Sequence, residues 1–256
     1  MKLYLLDFGR LGIPLAWIFE ARGLEKQTSA MIGALIEHPK DGIILYEVGP
    51  AADYEKYWPK PVFEMFPILK YTDENRLDNI LNKLGYKLED VSAIIIGHAH
   101  LDHAGGLEFF RGMDVPVYIH IEELKYSYYA VATKEDFGAY LPHYVDPSFN
   151  WKVIRDEEIE LFENITLYHI PGHTPGTMGM LVELKDKNFL FTTDLAIYKD
   201  NFEKKIPLGF GLRNFDEWHK SICKMRNIAK KYKAVVVYGH DLEVFNSLKH
   251  APEYYE

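Results

Sequence analysis

The segment Gly97-His98-Ala99-His100-Leu101-Asp102-His103-Ala104-Gly105-Gly106 brings three imidazoles and a carboxylate within six positions. Imidazole nitrogen and carboxylate oxygen are the donors from which zinc and related divalent ions build protein sites. The apolar run Ile94-Ile95-Ile96 leads straight into this cluster. It therefore reads as a buried strand feeding a polar loop, not as a surface histidine patch. Six positions are too few to close a site, so further ligands are expected at the ends of other strands, where loops present side chains to a common cleft. Three residues fit. His173 lies in Ile170-Pro171-Gly172-His173-Thr174-Pro175-Gly176, Asp194 follows Phe189-Leu190-Phe191-Thr192-Thr193, and His240 follows Val235-Val236-Val237-Tyr238-Gly239. Taken singly, each is more naturally a cap or turn residue. Taken with the first cluster, they point to a metal site whose chemistry is activation of water.

The elements that must position these residues follow from hydrophobic pattern. Short apolar and β-branched runs predict strands at 2–8, 30–37, 43–48, 93–96, 115–120, 159–162, 165–170, 178–184, 189–193 and 234–238. Turn residues between 38 and 42 and between 185 and 188 predict hairpins. Apolar residues at helical spacing predict helices over 73–84, capped by Thr72 and stopped by Gly85, over 121–133, and over 215–232. Strand runs mixed with helices in this order suggest two sheets with helices outside them.

Composition narrows the function classes. With 256 residues, 48% hydrophobic and 26% charged, and no repeat or linker, the chain reads as one globular domain over 1–256. A net charge of −9 disfavours a phosphate backbone or an anionic membrane as partner. No apolar run approaches the roughly 20 residues of a membrane span, and the first residues lack a signal pattern, so a cytoplasmic location is expected. One cysteine, Cys223, stands beside eleven histidines. A disulfide scaffold or multi-cysteine zinc site is excluded.

The pattern His98-x-His100-x-Asp102-His103, followed by His173, Asp194 and His240, resembles the dinuclear metal signature of the metallo-β-lactamase superfamily. The resemblance implies an α/β fold: an αββα sandwich of two mixed sheets with helices on the outer faces. It implies that His98, His100 and His173 hold one metal, that Asp102, His103 and His240 hold the other, and that Asp194 bridges them. Position 194 is Asp where the common zinc β-lactamases have Cys, and Cys223 falls in a predicted helix. Antibiotic hydrolysis is therefore disfavoured.

Within that superfamily the chain is most similar to the N-acyl-homoserine lactonase group, the quorum-quenching lactonases. The likeness extends over Thr72 to Leu81, Gly85-Tyr86, Ser92 to Ile96, Asp102 to Gly106, Thr193 to Phe202 and Gly239-His240-Asp241. It implies a metal-dependent hydrolase that opens a lactone ring by attack of a hydroxide bridging two divalent ions, with zinc first and iron, cobalt or manganese as alternatives. Another cyclic ester, a γ-lactam or a thioester is the alternative substrate. Asp102 would pass a proton to the leaving alkoxide. The group carries an active-site tyrosine three residues after the bridging aspartate. Here position 197 is Ile, and Tyr198 is expected to take that role by a compensating shift. Trp17 and Phe19 in an early loop, with Trp58, Phe63 and Phe66, are expected to wall a pocket for an apolar acyl chain. Gly105 and Gly106 would permit either close helix packing near the metals or a plain turn. The other six histidines show no ligand pattern. Exposed aromatics near the N-terminus leave a homodimer open.

Overall fold

Along Lys2–Pro14, Leu3 and Leu5 point to one side while Tyr4, Leu6 and Phe8 point to the other, and all five are buried. A strand buried on both faces must lie between two apolar layers. The computed structural model, which describes residues 1–256 apart from the side chain of Phe137, supplies both. Among the described residues the strands are β1 (Lys2–Pro14), β2 (Lys26–His38), β3 (Gly42–Tyr46), β4 (Ile68–Lys70), β5 (Val91–Ile95) and β6 (Pro116–His120). They continue with β7 (Asn150–Ile154), β8 (Glu158–Phe162), β9 (Ile165–His169), β10 (Met178–Val182), β11 (Phe189–Thr193) and β12 (Val235–Tyr238). The helices are α1 (Leu15–Ile18), α2 (Tyr54–Tyr57), α3 (Lys60–Met65), α4 (Leu77–Lys83) and α5 (Leu101–Ala104). After them come α6 (Ile121–Thr133), α7 (Lys199–Glu203), α8 (Phe215–Tyr232) and α9 (Leu242–Asn246). No helix among the described residues is long and apolar enough to cross a membrane.

One sheet has the order β4-β1-β2-β3-β5-β6-β7 and the other β12-β11-β10-β9-β8. Both are mixed: β3, β5, β6 and β7 run parallel, as do β11 and β12, and the remaining pairs are antiparallel. Between the sheets lies a core of Leu3, Leu5, Ile32, Ile36, Tyr46, Met180, Phe189 and Phe191. The opposite faces are covered by helices, as where Trp218, Ile222 and Met225 of α8 join the cluster containing Tyr168, Leu181 and Leu190. This is the αββα sandwich that the resemblance implies.

The departures from the sequence reading have physical causes. Strands β4 and β7 carry half-exposed residues at the two edges of the larger sheet, so they lack the apolar run that marks an interior strand. The helix expected over 73–84 breaks at Arg76, whose backbone is extended, into a short 3₁₀ turn at Asp73–Asn75 and then α4. The side chain of Asn75 closes that turn by accepting from the N–H and hydroxyl of Thr72. Two N-caps hold the longer helices: His120 accepts from Glu122 N in α6, and Asn214 accepts from Glu217 N in α8.

Candidate metal centre and the adjoining cavity

Five of the seven candidate ligands follow the C-terminal end of a strand. His98 and His100 follow β5, His173 follows β9, Asp194 follows β11, and His240 follows β12. His103 and Asp102 lie on α5, one turn after the β5 loop. Strands β5, β11 and β12 come from two different sheets, so the ligands meet where the sheets' ends converge.

Two groups result. His98, His100 and His173 form one, and Asp102, His103 and His240 form the other. In the first, His98 Nε2 is 3.1 Å and His173 Nε2 3.2 Å from His100 Nδ1. In the second, His103 Nε2 is 3.2 Å from His240 Nε2, and Asp102 Oδ2 is 3.5 Å from the same atom. Two nitrogens each about 2.0–2.1 Å from a tetrahedral ion would stand about 3.4 Å apart. The spacing therefore fits a metal ion in each group. Asp194 lies between them: its Oδ2 faces His98 Nε2 at 3.9 Å and His173 Nε2 at 3.6 Å, while Oδ1 faces His103 Nε2 at 3.6 Å and His240 Nε2 at 3.1 Å. Asp194 Oδ1 and His100 Nε2 are buried with no hydrogen-bond partner.

The far nitrogens are pinned by the protein. His98 Nδ1 lies 3.2 Å from Thr193 Oγ1, His173 Nδ1 2.7 Å from the carbonyl of Gly211, and His240 Nδ1 2.7 Å from the carbonyl of Ala30. An N–H donated from the far nitrogen fixes ring orientation and leaves the near lone pair for a cation. Glu47, placed after β3, faces His103 Nδ1 at 3.6 Å. Its other oxygen accepts from Gly97 N and Thr193 Oγ1. Glu47 also falls within metal-binding distance of His98 and His103, but it sits on the His103 nitrogen that points away from the second group. It is therefore an orienting partner and not a ligand. Both Glu47 (φ 59°) and Thr193 (φ 40°) have left-handed backbones, a strain that non-glycine residues hold where the surrounding fold over-determines them.

Charge follows this geometry. Burial, reinforced by the neighbouring imidazoles, holds His98 and His100 well below the usual histidine range. Burial also disfavours a charged His103, yet the carboxylates of Asp102, Asp194 and Glu47 push it up to about 10. Asp194 is held well below the usual carboxylate range because His240 and His103 outweigh its burial. The cluster is anionic enough to draw positive charge, as protons or as metal.

A cavity of about 330 Å³ opens onto His100, Asp102, His173, Asp194 and His240. Its walls are mostly apolar, built from Leu11, Ile13, Trp17, Val62, Phe66, Leu101, Ile197, Phe210 and Leu212. Arg213 and Asp136, joined as an ion pair, supply a polar stretch of wall. Of the five aromatics expected there, Trp17 and Phe66 line the cavity, their rings 5.0 Å apart. The other three do not. Helix α3 turns Val62 and Phe66, four residues apart, toward the cavity, and Phe63 instead stacks on Tyr54 at 6.0 Å. Trp58 is buried at 5% exposure against Tyr54, and Phe19 leaves α1 for a different cleft.

Tyr198 does not line this cavity. Asp194–Ala196 forms a 3₁₀ turn and Ile197 keeps a helical backbone, so Ile197 faces the metal cavity while Tyr198, already extended, faces the cleft that holds Phe19. The Tyr198 hydroxyl lies 2.9 Å from Ser29 Oγ. Successive residues in such a turn diverge by about 100–120°, so a one-residue offset changes the face. Gly105 and Gly106 have a resolved purpose as well: a Cβ at Gly106 would lie 2.2 Å from the carbonyl oxygen of Val48, and one at Gly105 2.4 Å from Ala51 N. They allow close packing.

Residues 34–240 match the model of the metallo-β-lactamase superfamily. The chain belongs to the metallo-β-lactamase superfamily. As a metallo-β-lactamase-fold protein with this His/Asp cluster, it is a metal-dependent hydrolase. It is 30% identical over 259 residues to an N-acyl homoserine lactonase of Bacillus sp, covering 99% of this chain and 98% of that protein. It is 32% identical over 236 residues to the N-acyl homoserine lactonase AttM of Rhizobium radiobacter, covering 86% and 85%. Among solved structures of the superfamily, it matches an N-acyl homoserine lactone hydrolase carrying the product N-hexanoyl-L-homoserine at its catalytic metal centre, with a TM-score of 0.86 and 27% identity over 99% of this chain and 98% of that one.

Proposed function

We propose that this protein hydrolyses the ring ester of N-acyl homoserine lactones, with two divalent ions that the two ligand groups would hold on either side of Asp194. The observation that carries the reading is an apolar cavity opening directly onto both groups, in a chain that aligns over its length with N-acyl homoserine lactonases. When bound, the ions supply an acidified water and a positive charge for the ester carbonyl oxygen. Zinc suits these donors, and so do iron, cobalt and manganese.

The chain's own residues do the rest. Trp17, Phe66, Val62 and Leu11 give the acyl chain an apolar wall, and burial of each methylene there contributes about 0.8 kcal/mol. Asp102 directs Oδ2 at His103 and His240, and its side chain is 11% exposed at the cavity. Its second oxygen would carry a proton to the departing alkoxide. The cavity holds no tyrosine hydroxyl among the described residues, so Tyr198 takes no part in this scheme.

The test is a panel of homoserine lactones with short and long acyl chains beside a γ-lactam, a thioester and a β-lactam, with the mass of each product read. A gain of one water on the lactones, lost on chelation and restored by zinc, is the expected result. Turnover of the thioester or lactam with inert lactones would overturn the reading.

A further inference from the structure

Glu123 stands in the first turn of α6 with no exposed surface, and its two oxygens receive four hydrogen bonds. Oε1 accepts from the N–H of Ala99 at 2.8 Å and from the Tyr140 hydroxyl at 3.0 Å. Oε2 accepts from the Thr174 hydroxyl at 2.6 Å and from the N–H of Gly176 at 3.2 Å. A buried carboxylate needs a cation or a full set of donors to be tolerated, and here the donors are the full set.

Three of these four donors come from two separate loops, and Tyr140 belongs to a third segment. Ala99 is the residue between His98 and His100, and Thr174 directly follows His173. The carbonyl of Ala99 is held too, by the Tyr144 hydroxyl at 2.8 Å, and the Tyr140 ring rests against the His100 ring with centroids 4.8 Å apart. The second loop is pressed onto the helix: a Cβ at Gly176 would fall 2.0 Å from Glu123 N. One carboxylate therefore spans the gap between the loops that carry all three histidines of one ligand group. The other group, Asp102, His103 and His240, receives nothing from it.

We infer that Glu123 is a positioning residue that sets the spacing of His98, His100 and His173, and so governs occupancy of that metal group selectively. The inference rests on the two-metal reading above. Sequence alone gives little sign of it, since Glu123 is one acid in a surface-type helix and only its spacing to the buried Ser127 and Ala130 marks an inward face.

The experiment titrates the metal-free full-length protein with Co²⁺ alone, following the visible absorption of the bound ion and the number of ions bound. Glu123→Gln keeps the shape but sets an amide NH₂ against a backbone N–H on one side or the other. The expected result is one Co²⁺ bound as in the parent and one weakened about 10–100-fold, the usual range for a lost partner behind a metal ligand. Tyr140→Phe and Thr174→Val each remove one arm and should weaken the same ion by a smaller factor. They decide the matter if Glu123→Gln does not fold. Two ions bound at parent affinity in these variants, or both weakened equally, overturns the inference while leaving the metal reading intact. A parent that takes up fewer than two Co²⁺ overturns both, and is seen before any variant is made.

Discussion

Substituting Gly106 by alanine tests whether the metal ligands depend on backbone contact rather than on their own side chains. The new Cβ would lie 2.2 Å from the Val48 carbonyl oxygen, where ordinary contact begins at 3.4 Å, so the backbones must part by about 1.2 Å. Two hydrogen bonds join them at this point: Gly106 N donates to the Gly49 carbonyl at 3.0 Å, and Val48 N donates to the His103 carbonyl at 2.9 Å. Overpacking of this kind costs about 1–3 kcal/mol, and each strained hydrogen bond up to about 1 kcal/mol more. Alanine's better helix propensity returns at most about 1 kcal/mol. A net loss of about 2–3 kcal/mol lowers Tm by about 4–12 °C in a chain of this size. The same shift moves His103, whose Nε2 lies 3.2 Å from His240 Nε2, and metal ligands tolerate only about 0.2 Å. Thermal melting and metal content per chain are the assays. The control is Gly85→Ala, with open space around it and φ +86°, which should cost about 1–2 kcal/mol for backbone alone and keep all metal. A Gly106→Ala protein with parental Tm and metal content would refute the reasoning.

Three further outcomes follow from the site and the core. Asp102→Asn should lower kcat on homoserine lactones by about 10²–10⁴ while the His98, His100 and His173 group keeps its ion, and a parental kcat would remove Asp102 as the proton carrier. Trp17→Ala should lower kcat/KM for long acyl chains by about 5–30-fold, from about 1–2 kcal/mol of lost contact, and leave short chains nearly unchanged. His120, buried and beside the charge of His169, is held at about 4. Its folded value lies below the unfolded 6.5, so its contribution is whole above about pH 6.5 and is lost as pH falls toward 4, by up to about 3 kcal/mol. His120→Asn keeps an acceptor for Glu122 N, and its urea midpoint should fall less than the parent's between pH 7 and 4.5. Equal falls would contradict this.

The ligand types, their order and the strand ends that carry them were legible in the sequence, because a buried strand followed by a polar loop is a local pattern. Apolar alternation likewise marked the interior strands, and helical periodicity marked α6 and α8. Face was not legible. Whether Ile197 or Tyr198, and whether Phe63 or Phe66, faces the cavity beside the His/Asp cluster depends on a rotation of about 100° within a turn, and neighbours far along the chain set that rotation.

The sequence by itself determined that this chain would build a His/Asp metal site at the ends of strands, since donor chemistry and hydrophobic period reside in consecutive residues. Only the tertiary structure brought the donors of the two groups within reach of one another about Asp194, and set Glu47 and Glu123 against their loops from behind. Glu47 is separated from His103 by 56 positions and Glu123 from Thr174 by 51. Such a pairing exists only once two sheets and a helix have packed, because no local preference links residues that far apart.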